Sequence, residues 1–372
     1  MQIDSARVFM LRMPLKEPWK TSFGAQSDID TVLVRLTSGE TTGWGEAAPG
    51  TWPRFCGEWG EPTFTLVRDY LLPRLAGAAV DDIDALTGLF AEIRGNTFAK
   101  AAVETAWWAL RGAIEGRPLS SYAGGTRAAV PAGADFDIHA DTGELLAKIA
   151  DAVGSGCPRV KLKMGRGTKI SQLREVRRAF PGATLHVDCN ATFRRDDIDR
   201  LALLDPLGLA MIEQPLAEDD LLGHAELQRR LETPVCLDES VRSLHDLETA
   251  LELGSCGYVN VKPGRVGGLR AAADIGELAA RSGVGAVVGN MLESPVGAQV
   301  CLALASCDWA TYPADLFASE RFFPTPLAAH DIASPPGGEW EFTVTTTPGN
   351  PAVPYDDVLS RWLIADSGEV TT

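Results

Sequence analysis

Lysine is scarce in this chain. Of its 34 basic residues only eight are lysine (positions 16, 20, 100, 148, 161, 163, 169 and 262), and the other 26 are arginine. A chain that makes its surface charge with arginine needs another reason to keep lysine in an apolar setting. Lysine is the cation whose pKa falls when it is buried or set near other cations, which is the property base chemistry uses. Histidine is scarcer: five residues (139, 186, 224, 245 and 330) without HxxxH spacing, which argues against a histidine-rich metal site. The seven cysteines (56, 157, 189, 236, 256, 301 and 307) are odd in number and form no CxxC pair, the pattern of reduced thiols rather than of disulfides or a zinc site. No apolar run approaches the roughly 20 residues of a membrane span, and the start, MQIDSARVFMLRMPL, has no basic head before an apolar stretch, so a cytoplasmic protein is expected. Fifty acidic residues against 34 basic ones give a formal charge of −16, which makes nucleic acid and anionic membranes poor partners.

What is present is a large apolar fraction, 45% of 372 residues, enough for one barrel and a smaller domain. Residues 1–127 mix strands such as TVLVRLTS with the alanine-rich helix FAKAAVETAWWALRGAIEG and read as an α+β unit. Residues 128–325 change to short apolar strands, each followed by a helical stretch, the texture of βαβ units and a parallel sheet. Residues 326–372, with PPGGEW and TTTPGNPAVPY, read as an extended segment returning across another domain.

The stretch VKLKMG sets Lys161 and Lys163 on one face of a short strand, where like charges repel. An exposed edge strand is one explanation. The surrounding pattern supplies a better one: strand-like runs end in charge at a period of 24 or 25 residues, at Lys163, Asp188, Glu213, Asp238 and Lys262. One strand, one helix and two loops take about that many residues, so each charge falls at the C-terminal end of its own strand. The class expected is α/β, a modified (β/α)8 (TIM-like) barrel with an α+β N-terminal capping domain. In such a barrel the five charges become neighbours around one site.

Three desolvated carboxylates on consecutive strands repel unless a cation lies between them. Oxygen donors without histidine or thiolate favour Mg²⁺, with Mn²⁺ as a substitute, so Asp188, Glu213 and Asp238 are the expected metal ligands. Lys161 and Lys163 precede the acids and Lys262 follows them, flanking the ion on opposite sides. That arrangement suits removal of a proton α to a carboxylate: one base permits elimination, and two in relay permit racemisation. Arg265, three residues after Lys262, carries a fixed charge that favours the basic form of the lysine. The glycines of GRVGGL, with no GxGxxG or GK[ST], read as a tight βα turn.

The motifs VKLKMG, VDCNATF, MIEQPL, CLDES, VNVKPGRVGG and GNMLES, with RMPLKEPWKTSFG and GWGEA near the start, resemble the enolase superfamily and its muconate-lactonizing subgroup. They are most similar to the o-succinylbenzoate synthase/N-acylamino acid racemase family. The resemblance implies Lys163 as acid/base on one face, Lys262 as acid/base or cationic stabiliser on the other, and Lys161 orienting the substrate carboxylate. It implies that Asn190 and Glu239 support the ligands and that Glu293 assists substrate or charge balance. It further implies that the loops Lys16 to Gln26 and Gly50 to Glu58 close over the barrel, bringing Trp19, Phe23, Trp52 and Phe55 to the substrate. A small-molecule carboxylate substrate and a homo-oligomer follow from the same resemblance.

The chain also departs from the family. It reads Gly289-Asn290-Met291 and Glu293-Ser294-Pro295 where relatives have GGM and E-T-G, and it carries Asp135 where racemase-like members have a small polar residue. That acid either disfavours an anionic succinyl chain or points away from it. Dipeptide epimerases use an Asp-x-Asp pair on the eighth strand; here Asp315-Leu316-Phe317 keeps only the first aspartate. An epimerase or a muconate-type cycloisomerase is the nearer alternative, and a metal-free Schiff-base aldolase or a non-catalytic binding barrel the remoter one.

Overall fold

The computed structural model describes the chain except residues 22–23, 138–140, 335–337 and 372 and the side chains of residues 20 and 21. The N-terminal part is a meander of three antiparallel strands, β1 (Ser5–Thr21), β2 (Gly24–Ser38) and β3 (Thr41–Ala47). GWGEA explains how the helix Thr97–Glu115 lies on this sheet. Alternation puts Gly43 and Gly45 on one face of β3 and Trp44 and Glu46 on the other. A Cβ on Gly45 would come within 2.2 Å of Ala102 O, so only bare backbone lets the helix approach this closely. The helix buries Phe98, Val103, Trp107 and Leu110 against the sheet, each contributing about 1.5–3 kcal/mol of apolar burial. It ends at Gly116, which takes the left-handed conformation that a C-terminal stop requires (φ 71°).

The second part is a curled parallel sheet of β5 (Ala134–Phe136), β6 (Val160–Lys163), β7 (Leu185–Asp188), β8 (Ile212–Glu213), β9 (Val235–Leu237), β10 (Tyr258–Val261) and β11 (Gly285–Val288), paired in chain order. Helices cover its outer face, so both faces of each strand are buried and the strands read as short apolar runs. Among the described residues the expected eighth strand is present only as single bridges, Ala132 to Ala314, Ala286 to Ala310 and Gly289 to Asp315, which lay residues 310–315 between β11 and β5. Pro313 lacks the N–H a regular ladder needs there.

β4 (Ala129–Pro131) pairs with β12 (Glu341–Thr343) in a separate two-stranded sheet, and β13 (Leu363–Asp366) and β14 (Val370–Thr371) join the N-terminal sheet by pairing with β1. Two buried glutamates join the parts. Glu46 accepts from the N–H of Ser294 (3.0 Å) and Gly297 (2.8 Å) and from the hydroxyl of Ser294 (2.6 Å), at the start of the helix Pro295–Ala305. Glu104 accepts from Leu269 N–H (2.8 Å) and Arg270 N–H (2.9 Å), at the start of the helix Leu269–Arg281. Each puts a carboxylate on the positive end of a helix across the interface. Among the described residues no helix is long and apolar enough to cross a membrane, and the seven cysteines are free.

Candidate active site

The charged positions fall where the 25-residue period puts them. Lys163, Asp188 and Glu213 are the last residues of β6, β7 and β8, and they are register partners across the sheet. Asp238 and Lys262 follow the last residues of β9 and β10. Glu213 pairs with Cys236, so Asp238, two residues on, projects from the same face.

A cleft of about 910 Å³, open mouth included, lies between these strand ends and the N-terminal loops. Lys161, Lys163, Lys262 and Asn190 line its floor; Trp19, Trp52, Arg54 and Phe55 form its roof; Met291, Leu292, Phe317 and Phe322 form an apolar wall. Trp19 meets Phe322 edge-on at 5.5 Å. Trp52 is 66% exposed and sits at the rim. Phe23 lies outside the described residues. The roof loop is anchored by Glu58, which accepts from Phe98 and Ala99 N–H at the start of the helix beneath it.

Asp188, Glu213 and Asp238 lie beneath the described lining of the cleft, and the lysines that line it contact them. Lys163 donates to Asp188 Oδ2 (2.6 Å) and Asn190 Oδ1 (3.1 Å), and Lys262 donates to Asp238 Oδ2 (2.9 Å) beneath the ring of Phe55. Lys161 stands between three acids, with Nζ 3.1 Å from Asp188, 3.0 Å from Glu213 and 2.8 Å from Asp315. Burial works against its charge, but Asp188, Asp315, Glu213 and Asp135 raise its pKa well above the ordinary lysine value. These carboxylates favour the charged form of Lys161. Glu213 shows the converse: burial opposes its charge, yet Lys161 and His186 hold it well below the usual carboxylate range.

Asn190, held at φ 42°, bridges Asp188 and Glu239 through its amide. Burial and the nearby Asp188 push Glu239 up to about 7, and its Oε2 has no partner among the described residues. Arg265 donates to Asp238 Oδ1 and to Val241 O (2.9 Å). Glu293 does not face the main cleft. It lines a smaller cavity with Glu46, Thr105 and Gly297, where burial pushes it up to about 7.

Among the described residues no three acidic or histidine side chains converge on one point, because ammonium and guanidinium groups take up their oxygens. The donor set still fits a hard divalent cation. Asp188, Glu213 and Asp238 are three buried carboxylates on successive strand ends without thiolate or imidazole among them. Two buried oxygens beside them, Glu239 Oε2 and Asn260 Oδ1, have no partner among the described residues.

Two features were missed in the sequence. Gln214, in MIEQPL, is fully buried and accepts from the N–H of Asp238 (2.9 Å) and Ser240 (3.2 Å), fixing the chain that carries Asp238. Arg159 is fully buried and donates to Asp135 and Asp315 (3.0 Å). The signal for Arg159 was available: it precedes Lys161 by two residues, as Lys161 precedes Lys163, so all three share a face. Its ion pair answers the question Asp135 raised, because that carboxylate lines the cleft with its charge already compensated.

Comparison with known proteins agrees with this geometry. Residues 3–124 match the mandelate racemase/muconate lactonizing enzyme N-terminal domain and residues 144–350 the enolase C-terminal domain-like family. The chain is 37% identical to an o-succinylbenzoate synthase of Geobacillus stearothermophilus, over 93% of this chain and 91% of the relative. It is 36% identical to an N-succinylamino acid racemase of Amycolatopsis, over 97% of both. A crystal structure of an enolase-superfamily member from Listeria innocua superposes with a TM-score of 0.94 at 32% identity, covering 100% of each chain. Strand-end acids in register, lysines on both flanks and relatives matched over nearly the whole length together place this chain in the enolase superfamily.

Proposed function

We propose that this protein removes the proton α to a substrate carboxylate, and that the reaction is the dehydration giving o-succinylbenzoate, the racemisation of N-succinyl- or other N-acylamino acids, or both. One observation carries the reading: Lys163 and Lys262 reach the same cleft from β6 and β10, with the three acid-bearing strands between them. The names of the relatives at 36–37% identity support both reactions.

Asp188, Glu213 and Asp238 would hold Mg²⁺, or Mn²⁺ in its place, and the bound ion supplies positive charge to the substrate carboxylate as the α-proton leaves. Lys161, its charged form favoured by these acids, orients that carboxylate. Lys163 takes or returns the proton on one face of the α-carbon, and Lys262 does so, or steadies the developing charge, on the other. Asn190 fixes Lys163 against Asp188. Residues 1–127 serve as the cap, 128–325 as the barrel and 326–372 as the returning segment, in a protein we expect to be a homo-oligomer. The dipeptide-epimerase reading is not favoured: Asp315 is engaged by Arg159 and Lys161, and residue 317 is phenylalanine.

Proton NMR in D₂O with Mg²⁺ tests the proposal, using N-succinyl and N-acetyl amino acids of each configuration beside an assay for o-succinylbenzoate from its cyclohexadiene precursor. Exchange or product formation is expected. Silence with every substrate would contradict it.

A further inference from the structure

Below the strand-end acids the barrel interior turns apolar: Met211, Cys236 and Val287 pack with Tyr258 and Tyr312. His186 stands at the boundary. It precedes Asp188 by two residues on β7, so it shares that residue's inward face, and it is the register partner of Lys161. The imidazole is buried, 3% exposed, and a buried ring needs a partner at each nitrogen. Nε2 lies 3.5 Å from Glu213 Oε2, and Nδ1 lies 3.2 Å from the hydroxyl of Tyr312, whose ring meets the imidazole edge-on at 5.6 Å. A carboxylate only accepts, so the imidazole proton belongs on Nε2, and a bare Nδ1 accepts from the Tyr312 O–H. The three side chains form one directed chain from the segment standing for the eighth strand to an acid of the site.

Glu213 needs that support. β8 is the shortest strand of this sheet, two residues, and the next residue, Gln214, leaves it at φ 34°, a conformation L side chains rarely adopt. Lys161 reaches both Glu213 oxygens, at 3.2 and 3.0 Å, but is shared with Asp188 and Asp315 and so sets no single orientation. His186 faces Oε2, and Asn260 Nδ2 donates to Oε1 at 2.8 Å. Both are carried by ladder residues, of β7 and β10, so each carboxylate oxygen has a partner fixed to the sheet.

We propose that His186 is a positioning residue for Glu213: backed by Tyr312, it orients this carboxylate for divalent-cation binding. This rests on the metal site proposed above and assigns a residue that tunes it, as partners of ligating carboxylates do.

Nitrogen-15 NMR of the histidine rings in the metal-free protein, with the His186 signals identified by their loss in His186→Gln, reads the chain directly. A proton on Nε2 and none on Nδ1 is expected; a proton on Nδ1 would overturn the inference. Calorimetric Mg²⁺ binding reads the effect. His186→Met, which keeps the bulk and removes the donor, should weaken Mg²⁺ about 10- to 100-fold. His186→Gln, whose amide donates to Glu213 and accepts from Tyr312, should stay within about threefold of the unmodified protein. A purely structural role would lower the metal-free Tm of both variants without separating their affinities. If His186→Met does not fold, Tyr312→Phe replaces it and should weaken Mg²⁺ about fivefold, the worth of one hydrogen bond. Unchanged affinity in His186→Met, or in Tyr312→Phe where that variant replaces it, or equal weakening in His186→Met and His186→Gln, would overturn the inference and leave the metal site standing. Absence of Mg²⁺ binding in the unmodified protein would overturn the metal site itself, and the inference with it.

Discussion

Lys262 and Arg265 grip opposite oxygens of one carboxylate: Lys262 Nζ donates to Asp238 Oδ2 at 2.9 Å and Arg265 Nη1 donates to Asp238 Oδ1. Burial lowers Arg265 to about 10, still charged at neutral pH. A fixed cation therefore stands one carboxylate away from a lysine that must give up its proton to act as a base.

Arg265→Ala should accordingly slow the reaction at neutral pH. Without the guanidinium, Asp238 Oδ1 loses its partner and Lys262 loses the fixed charge beside its own, so kcat/KM at pH 7 should fall about tenfold. Rates of the variant and the unmodified protein at pH 7 check it, and an unchanged kcat/KM removes the role.

Glu104 gives stability a pH dependence. Burial raises its carboxyl from 4.5 to about 7 despite the N–H groups of Arg270 and Leu269. The native state thus holds the proton more tightly than the unfolded chain. The contribution is complete below about pH 4.5 and is lost as pH rises to about 7, a difference of about 3 kcal/mol. Glu104→Gln should shrink the fall in stability between pH 5 and pH 7.5, while costing some stability at both because its NH₂ faces a donor. Urea unfolding at the two pH values measures this.

Divalent binding has a readout apart from turnover. Mg²⁺ at about 100 times its Kd should stabilise the protein by about 2.7 kcal/mol and raise Tm by several degrees. Glu213→Gln removes the charge of one proposed ligand and should weaken binding at least about tenfold, so most of that rise disappears at the same concentration. An equal rise in both proteins would place the ion elsewhere.

The strand-end charges were legible because a barrel puts one functional position at a fixed place in every repeat, and Lys163, Asp188 and Glu213 show it as direct register partners. GWGEA was legible as a motif, although its reason, bare glycine under a helix, is visible only in three dimensions. Glu46 and Glu104 cap helices 248 and 165 residues away, and no local periodicity announces such pairs. Glu293, expected at the substrate, lies in the smaller cavity. Its Cγ packs 2.6 Å from where a Cβ on Gly297 would stand, at the start of the helix that Ser294 caps. Arg159 shared the alternation of Lys161 and Lys163, but its partners come from β5 and the eighth-strand segment, which only barrel closure brings together.

If Lys163 and Lys262 serve opposite faces of one α-carbon, isotope exchange in the single variants separates their roles. N-succinyl-phenylalanine of each configuration is incubated in D₂O with Mg²⁺ and either Lys163→Ala or Lys262→Ala, and α-proton loss is followed by NMR. Each variant should lose interconversion of the enantiomers and at least about 10³-fold of the exchange of the enantiomer whose proton faces the missing lysine. Exchange of both enantiomers at undiminished rates in either variant would contradict it.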